Sequence, residues 1–296
     1  MHARPFDIAR PMPDLPYRLG LPIWAHPGWR NRYFEWEPSP LASYARVFDA
    51  VEGNTTFYGI KDRATVDGWR RALEGSDLRV SFKPPMAVTH SSAPDMDALE
   101  HFLDTIGALD EHLGPYLLQF PSRVGPETLA RFEPAFERVA REAPGAVVEV
   151  RNLAFFEDAA TLGQTLDRYG FGRVTLDSRA LYAGDPTHPK AAGALHKKPD
   201  VPVLDHDGRA TAFVRLILHP DARTNVPWLD EWAGRTAALL AEGVAVTMIV
   251  HCPDNDPCPD FAADFHERLR VACAGGAVPT PEPLPRWPVP QQGSLL

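Results

Sequence analysis

Residues 127–177 read ETLARFEPAFERVAREAPGAVVEVRNLAFFEDAATLGQTLDRYGFGRVTLD. In the first third, Leu129, Phe132, Phe136 and Val139 recur at helical spacing and give one apolar stripe. The pattern predicts a helix over 127–142 with a kink at Pro134, which has no N–H for the helical ladder. A short β-rich run follows at 147–151, then a second helical stretch at 159–169 and a second short run at 173–177. Outward from this segment the same alternation continues. Further strands are expected at 20–24, 47–52, 80–83, 116–120, 213–218 and 245–251, with helices at 65–73, 97–109, 227–242 and 259–274. Strand alternating with helix implies parallel strands joined by right-handed crossovers. Eight such units over about 250 residues fit a closed (β/α)8 TIM-type barrel of α/β class better than two open sheets. The alternative, an open doubly wound sheet, usually carries a glycine-rich phosphate turn after its first strand, and LPIWAHPGW at 21–29 is not one.

A barrel strand points alternate side chains inward and outward. With Val51 facing the helices, Glu52 faces in and Asn54 lies just beyond; with Phe82 out, Ser81 and Lys83 face in. The same parity gives Gln119, Glu149 with Arg151, Asp177, Arg215 with His219, and His251. Earlier inward positions are apolar or small: Ala50, Leu117, Val147, Thr175, Phe213 and Ile249. The expected interior is greasy below and charged at the C-terminal ends of the strands, the end where barrel enzymes carry their sites. A purely structural charge network is the competing reading, disfavoured because burying each ionised group costs several kcal/mol.

The chain has 296 residues, 44% of them hydrophobic and 23% charged, in the range of globular proteins. A formal charge of −9 does not draw it to nucleic acid or anionic lipid by bulk electrostatics, so neither membrane nor direct nucleic-acid binding is expected. The N-terminus lacks the basic head and apolar run of a secretory signal. Three cysteines, Cys252, Cys258 and Cys273, are no disulfide framework and fit a reducing compartment, so the expected location is cytoplasmic. Proline clustering divides the chain into an arm at 1–18, the barrel at 19–275 and a Pro-rich tail at 276–296.

The runs VEGNTTFYGI (51–60), a following Trp, SFKPPMAVTH (81–90), GPYLLQFP (114–121), VVEVRN (147–152) and VTLDSR (174–179) come in a characteristic order and spacing. Together they resemble the YecE-like family, the domain of unknown function 72. HKKPDVPV (196–203) and PQQGSLL (290–296) make the resemblance specific to its bacterial YecE branch. The resemblance implies a β/α barrel and supplies no reaction. Many members have a GTSGW-like start and a histidine–glycine after the seventh strand; GLPIW (20–24) and RLILHP (215–220) stand there here.

The expected catalytic set is Glu52, Lys83, Glu149, Asp177 and His251. The expected substrate-binding set is Trp24, Asn54, Tyr58, His90, Gln119, Arg151, Arg215 and His219. Lys83, Arg151 and Arg215 beside Glu52, Glu149 and Asp177 suit a small anionic or phosphorylated substrate. Glu149 or Glu52 would serve as base and His90, His219 or His251 as acid, in a hydrolase or lyase. A divalent-metal enzyme is the alternative, with Glu52, Glu149, Asp177 and a late histidine as ligands. Lys83 and Arg151 would repel the cation and no HxH or HExxH spacing supports it, so no metal ligand is assigned and no cofactor is named. Cys252 reads as a small buried hydrophobe pointing away from the barrel. Trp24, Trp29, Phe57 and Tyr58 either line the pocket mouth or belong to the core. The long stretch 178–212, with His188, His196, Lys197, Lys198 and His206, is a lid or a packed insertion. In the tail, Gln292, Leu295 and Leu296 resemble the peptide by which bacterial repair proteins dock on the replication sliding clamp, a third functional class.

Overall fold

The strands form in the order the alternation predicts, in a computed structural model that describes residues 16–143, 145–276, 278–285 and 287. They are β1 (Tyr17–Leu21), β2 (Ala50–Gly53), β3 (Arg79–Phe82), β4 (Tyr116–Gln119), β5 (Ala146–Glu149), β6 (Gly172–Asp177), β7 (Thr211–Ile217) and β8 (Ala245–His251). All ladders are parallel, in the order β3-β2-β1-β8-β7-β6-β5-β4, with helices between successive strands. The barrel is nearly closed. Between β3 and β4 the ladder is reduced to one bridge, Val80 beside Leu113, with a 2.9 Å hydrogen bond from Gly114 N–H to Val80 O. Glycine permits that approach, because a Cβ at Gly114 would lie 2.7 Å from Ser81 Oγ.

Two boundaries shift for identifiable reasons. The first strand, expected at 20–24, spans Tyr17–Leu21, because Pro22 has no N–H to continue the ladder. The helix expected at 127–142 breaks into Pro126–Leu129, a 3-10 turn Ala130–Phe132 and Glu133–Val139, with Pro134 in the first turn of the last piece. Its stripe survives the break: Leu129, Phe132, Phe136 and Val139 are all buried against the sheet.

Inside the barrel, Ala50, Leu117, Val147, Val174, Phe213 and Ile249 form a separate apolar floor. Five of these are the inward residues expected from parity; on β6 the inward residue is Val174, not Thr175. Register explains the correction. Side-by-side residues of parallel strands share a face, and Val174 pairs with Phe213, Leu176 with Arg215, and Asp177 with the outward Leu216.

The stretch 178–212 folds as an insertion with helices Arg179–Ala183 and Pro189–Leu195. Ala191, Leu181 and Val201 seat it on Leu176 and Ile217, the last inward residues of β6 and β7. That side of the mouth is thereby capped with apolar contact, and the opposite side stays open.

After the last helix, Cys258–Cys273, the chain turns back along it. Pro281 O accepts from Arg270 Nε at 3.0 Å, and Trp287 packs edge-on against Tyr33 at 5.2 Å. Gln292, Leu295 and Leu296 lie outside the described residues. No helix among the described residues is long and apolar enough to cross a membrane.

Candidate functional site

Above the greasy floor, the next inward residue of several strands is charged, and these side chains converge. Arg215 on β7 donates to Glu52 on β2 through two bonds, Nε to Oε2 at 2.8 Å and Nη2 to Oε1 at 3.0 Å. Its remaining Nη1 donates to Glu149 Oε2 on β5. Lys83, just past β3, holds Glu52 Oε1 at 2.8 Å and donates to Gln119 Oε1 on β4 at 3.0 Å. Arg151, two residues after Glu149, donates from Nε to Glu149 Oε1 at 2.7 Å. His251 ends β8 with Nε2 3.2 Å from Glu52 Oε2, but without hydrogen-bond alignment, so this buried nitrogen has no hydrogen-bond partner among the described residues. Strand parity thus brings Glu52, Lys83, Gln119, Glu149, Arg151, Arg215 and His251 together.

Burial and mutual charge set the protonation of this network. Burial pushes the Glu149 carboxyl up, but Arg215, Arg151 and Lys83 outweigh it and hold the group at about 2. Glu52 is likewise pushed up by burial and then carried well below the usual carboxylate range by Arg215 and Lys83. Both are carboxylates at neutral pH. Burial lowers His251 to about 3 against the opposing pull of Glu52, so its ring is neutral.

The open half of the mouth is a cavity of about 470 Å³, within the size range of small-molecule sites. Asn54, Phe57 and Tyr58 line one rim. Asn54 is fixed by donating Nδ2–H to Pro22 O at 2.9 Å, while Tyr58 is 85% exposed. The insertion supplies the facing wall with Pro189, Lys190, Gly193, Ala194, Lys197 and Lys198. The stretch 178–212 is therefore a packed insertion that also forms pocket wall. Lys198 is half-buried, and burial together with Arg215 lowers its amine to about 8 despite Glu52. The lining carries six basic side chains, Lys83, Arg151, Lys190, Lys197, Lys198 and Arg215, against the single carboxylate Glu52. Counting Glu149 beneath and Asp254, which pairs with Lys190, positive charge still exceeds negative by three.

Four expected site residues are placed elsewhere. Asp177 faces the helices, where it accepts from Trp232 Nε1 at 2.7 Å and pairs with Arg179 at 2.7 Å. His219 lies beyond β7 among loop atoms, its Nδ1 accepting from Asp221 N at 3.0 Å and its ring edge-on to His188. Trp24 packs outside the barrel against Trp69 and Phe82, since β1 has already ended. His90 sits behind the rim with its ring 4.9 Å from Phe57, and burial with Arg123 lowers it to about 4. Trp29 is fully buried. Cys252 is buried with the outer core and also borders the cavity; its thiol donates to Asp254 Oδ1 at 3.4 Å, and burial pushes it far above the usual range.

A family model described as protein of unknown function DUF72 matches residues 18–286. The chain is 32% identical over 287 residues to the UPF0759 protein YecE of Escherichia coli strain K12, covering 94% of this chain and 99% of that protein. Among solved structures, a DUF72 family protein of Enterococcus faecalis V583 superposes with a TM-score of 0.64 at 17% identity, over 86% of this chain and 97% of that one. A DUF72 family protein of Thermotoga maritima MSB8 gives 0.61 at 18% identity, over 86% and 98%. At those identities the two structures speak to the fold alone.

Proposed function

The chain belongs to the DUF72 family of proteins of unknown function, and from that premise, which supplies no reaction, we propose that the barrel mouth binds a small organic anion and carries out acid–base chemistry on it. The observation that carries this reading is the excess of cationic groups lining the cavity, with the Lys198 amine unpaired among the described residues and the Arg151 guanidinium only partly engaged. Arg151 spends its Nε on Glu149, and neither of its Nη groups has a hydrogen bond among the described residues. Lys198 Nζ has neither hydrogen bond nor ion pair there. A planar guanidinium edge and an ammonium facing one cavity match a carboxylate or phosphate.

Glu52 and Glu149 then act as fixed counter-charges that hold Arg215, Lys83 and Arg151 in place, since a carboxylate held well below the usual carboxylate range is a poor proton acceptor. Proton transfer falls to Lys198, whose amine at about 8 is close to the working pH of general acid–base catalysis. His251 offers one N–H and one lone pair to the bound molecule. The alternative with a divalent metal is less well supported: the oxygens of Glu52 and Glu149 are engaged by cations, and Asp177 faces away.

Isothermal titration with inorganic phosphate, phosphomonoesters and small dicarboxylates tests the proposal. At least one of these should bind, and Arg151→Ala should weaken it about tenfold to a hundredfold, the range for one charge-assisted hydrogen-bonding group. Binding of none, or binding unchanged in Arg151→Ala, overturns it. Docking on a sliding clamp through Gln292, Leu295 and Leu296 is a separate proposal carried by the tail sequence. A peptide of the last ten residues should bind the clamp and lose binding when both leucines become alanine.

A further inference from the structure

We propose that Lys198 is a nucleophile and that the anion taken by this cavity carries a ketone or aldehyde next to its carboxylate or phosphate, which the lysine captures as an imine. The inference rests on the anion-binding reading above and adds the substrate class to it.

Four lysines line the cavity and only one is placed for this task. Lys83 is 7% exposed and is held by Glu52 and Gln119, so its nitrogen is committed to an ion pair. Lys190 is paired with Asp254. Lys197 is exposed. Lys198 is half-buried, faces the same cavity as Arg151, Arg215 and His251, and has no partner for its nitrogen among the described residues.

Its backbone is pinned from several sides. The Tyr182 hydroxyl lies 2.7 Å from Lys198 O and 2.9 Å from Leu195 O, Lys198 N–H donates to Ala194 O at 2.9 Å, and Ser178 Oγ–H donates to Pro199 O at 2.7 Å. A side chain launched from a fixed point into a site crowded with cations is disfavoured as an ammonium, and the lowering of Lys198 to about 8 agrees with that geometry. At about 8 the amine is still mostly an ammonium at neutral pH, but its neutral fraction, roughly a tenth, far exceeds that of an ordinary lysine. That neutral fraction is the form that captures a carbonyl: the other cations hold the carboxylate or phosphate while the nitrogen lone pair attacks the adjacent carbon.

The step balances without a redox partner. Nitrogen forms a bond to the carbonyl carbon and loses a proton, while the carbonyl oxygen gains one to give a carbinolamine. The carbon–oxygen bond then breaks, the oxygen leaves as water with a second proton taken from solvent, and the nitrogen lone pair closes the C=N bond to give an iminium. The iminium returns that proton when the nitrogen releases its remaining hydrogen and becomes the imine. Those protons exchange with water through the open mouth, while His251, held neutral by its burial, offers the bound molecule a hydrogen bond without taking up a proton.

The test is reductive trapping on the full chain. Wild type is incubated with pyruvate or with dihydroxyacetone phosphate, each with borohydride or cyanoborohydride, and the adduct is mapped by peptide mass. One of the two should label Lys198 at least tenfold faster than Lys197, and which one does so distinguishes a carboxylate from a phosphate substrate. Lys198→Arg, with its folding checked by circular dichroism, should abolish the adduct. The proposal is overturned by labelling spread equally over Lys190, Lys197 and Lys198, by an adduct that survives in Lys198→Arg, or by acetone labelling Lys198 as fast as the anions do. Calorimetric binding of a plain anion together with no trapping by either probe ends the imine and leaves the anion site standing; absence of both ends the two readings together.

Discussion

Arg215 and Glu52 stand 163 residues apart in sequence and meet in a two-pronged pair at 2.8 and 3.0 Å, neither more than 1% exposed. The pair ties β7 to β2 across the barrel interior, and Glu149 extends it to β5. Removing one member leaves the other charged and dry. Glu52→Ala, which strands both Arg215 and Lys83, should cost about 3–5 kcal/mol in urea unfolding, the range for an orphaned buried charge. A loss below about 1 kcal/mol, the size of a surface pair, would mean the network is solvated.

The pH dependence of stability follows from the direction of each shift. Glu149 drops from 4.5 in the unfolded chain to about 2 in the fold, so its contribution is complete above 4.5 and is lost as pH falls toward 2. His251 drops from 6.5 to about 3, so the unfolded chain takes up its proton first and stability falls as pH goes down from 6.5 to 3. Asp49 runs the other way: burial raises it from 3.8 to about 6, so its contribution is lost as pH rises between those values. Because Asp49 opposes His251 above pH 4, replacing the histidine should change the balance visibly. His251→Gln should make the fall in melting temperature between pH 6.5 and 4 shallower, since His90, lowered from 6.5 to about 4, still works against Asp49 there, while leaving the steeper loss below it. An identical profile in wild type and variant, measured by thermal melts across that range, would show that His251 is not held neutral.

How much of this is legible in the sequence depends on which element supplies the residue. Strand alternation is a property of covalent geometry, so Glu52, Lys83, Gln119, Glu149, Arg151, Arg215 and His251 can be placed together from their spacing from the apolar inward residues. On β6 the run Val174-Thr175-Leu176-Asp177 offers an apolar residue on one face and a polar one on the other. Either parity looks acceptable until the insertion is known to need Leu176 as its seat, and the pattern alone puts Asp177 on the wrong face for that reason. Lys198 is visible as part of a basic cluster, but nothing in HKKPDVPV says whether that cluster meets the mouth. Its position is fixed by apolar packing between segments distant in sequence, which local pattern does not encode.

His219 illustrates the difference between a polar residue at the right parity and one at the site. Gly184 lies against its ring, and a Cβ there would fall 2.4 Å from His219 Cδ2. Gly184→Ala should therefore displace the imidazole and cost about 1–3 kcal/mol in urea unfolding, the usual range for overpacking. Anion affinity measured by calorimetry should stay within about twofold, because the charged lining is left intact. A large drop in affinity with little loss of stability would reassign His219 to the pocket.

The insertion can be separated from the barrel in the same way. Ala191 is fully buried between the helix Pro189–Leu195 and the late inward residues Leu176 and Ile217, with no room or partner for a charge. Ala191→Glu should unseat that helix locally, since an unpaired carboxylate in an apolar contact is expelled into water before the strands beneath it give way. Trypsin should then cut after Lys190 or Lys197 at least tenfold faster than in wild type, while the bond after Lys198 stays protected by Pro199. Near-native far-ultraviolet circular dichroism should accompany the cleavage, because the eight strands lie outside the released segment. Reductive labelling of Lys198 should fall in the same variant, since the amine leaves the cations that disfavour its charged form. Faster cleavage with undiminished labelling would separate the two effects and show that the lysine's reactivity comes from its own sequence neighbours, not from its seat over the barrel.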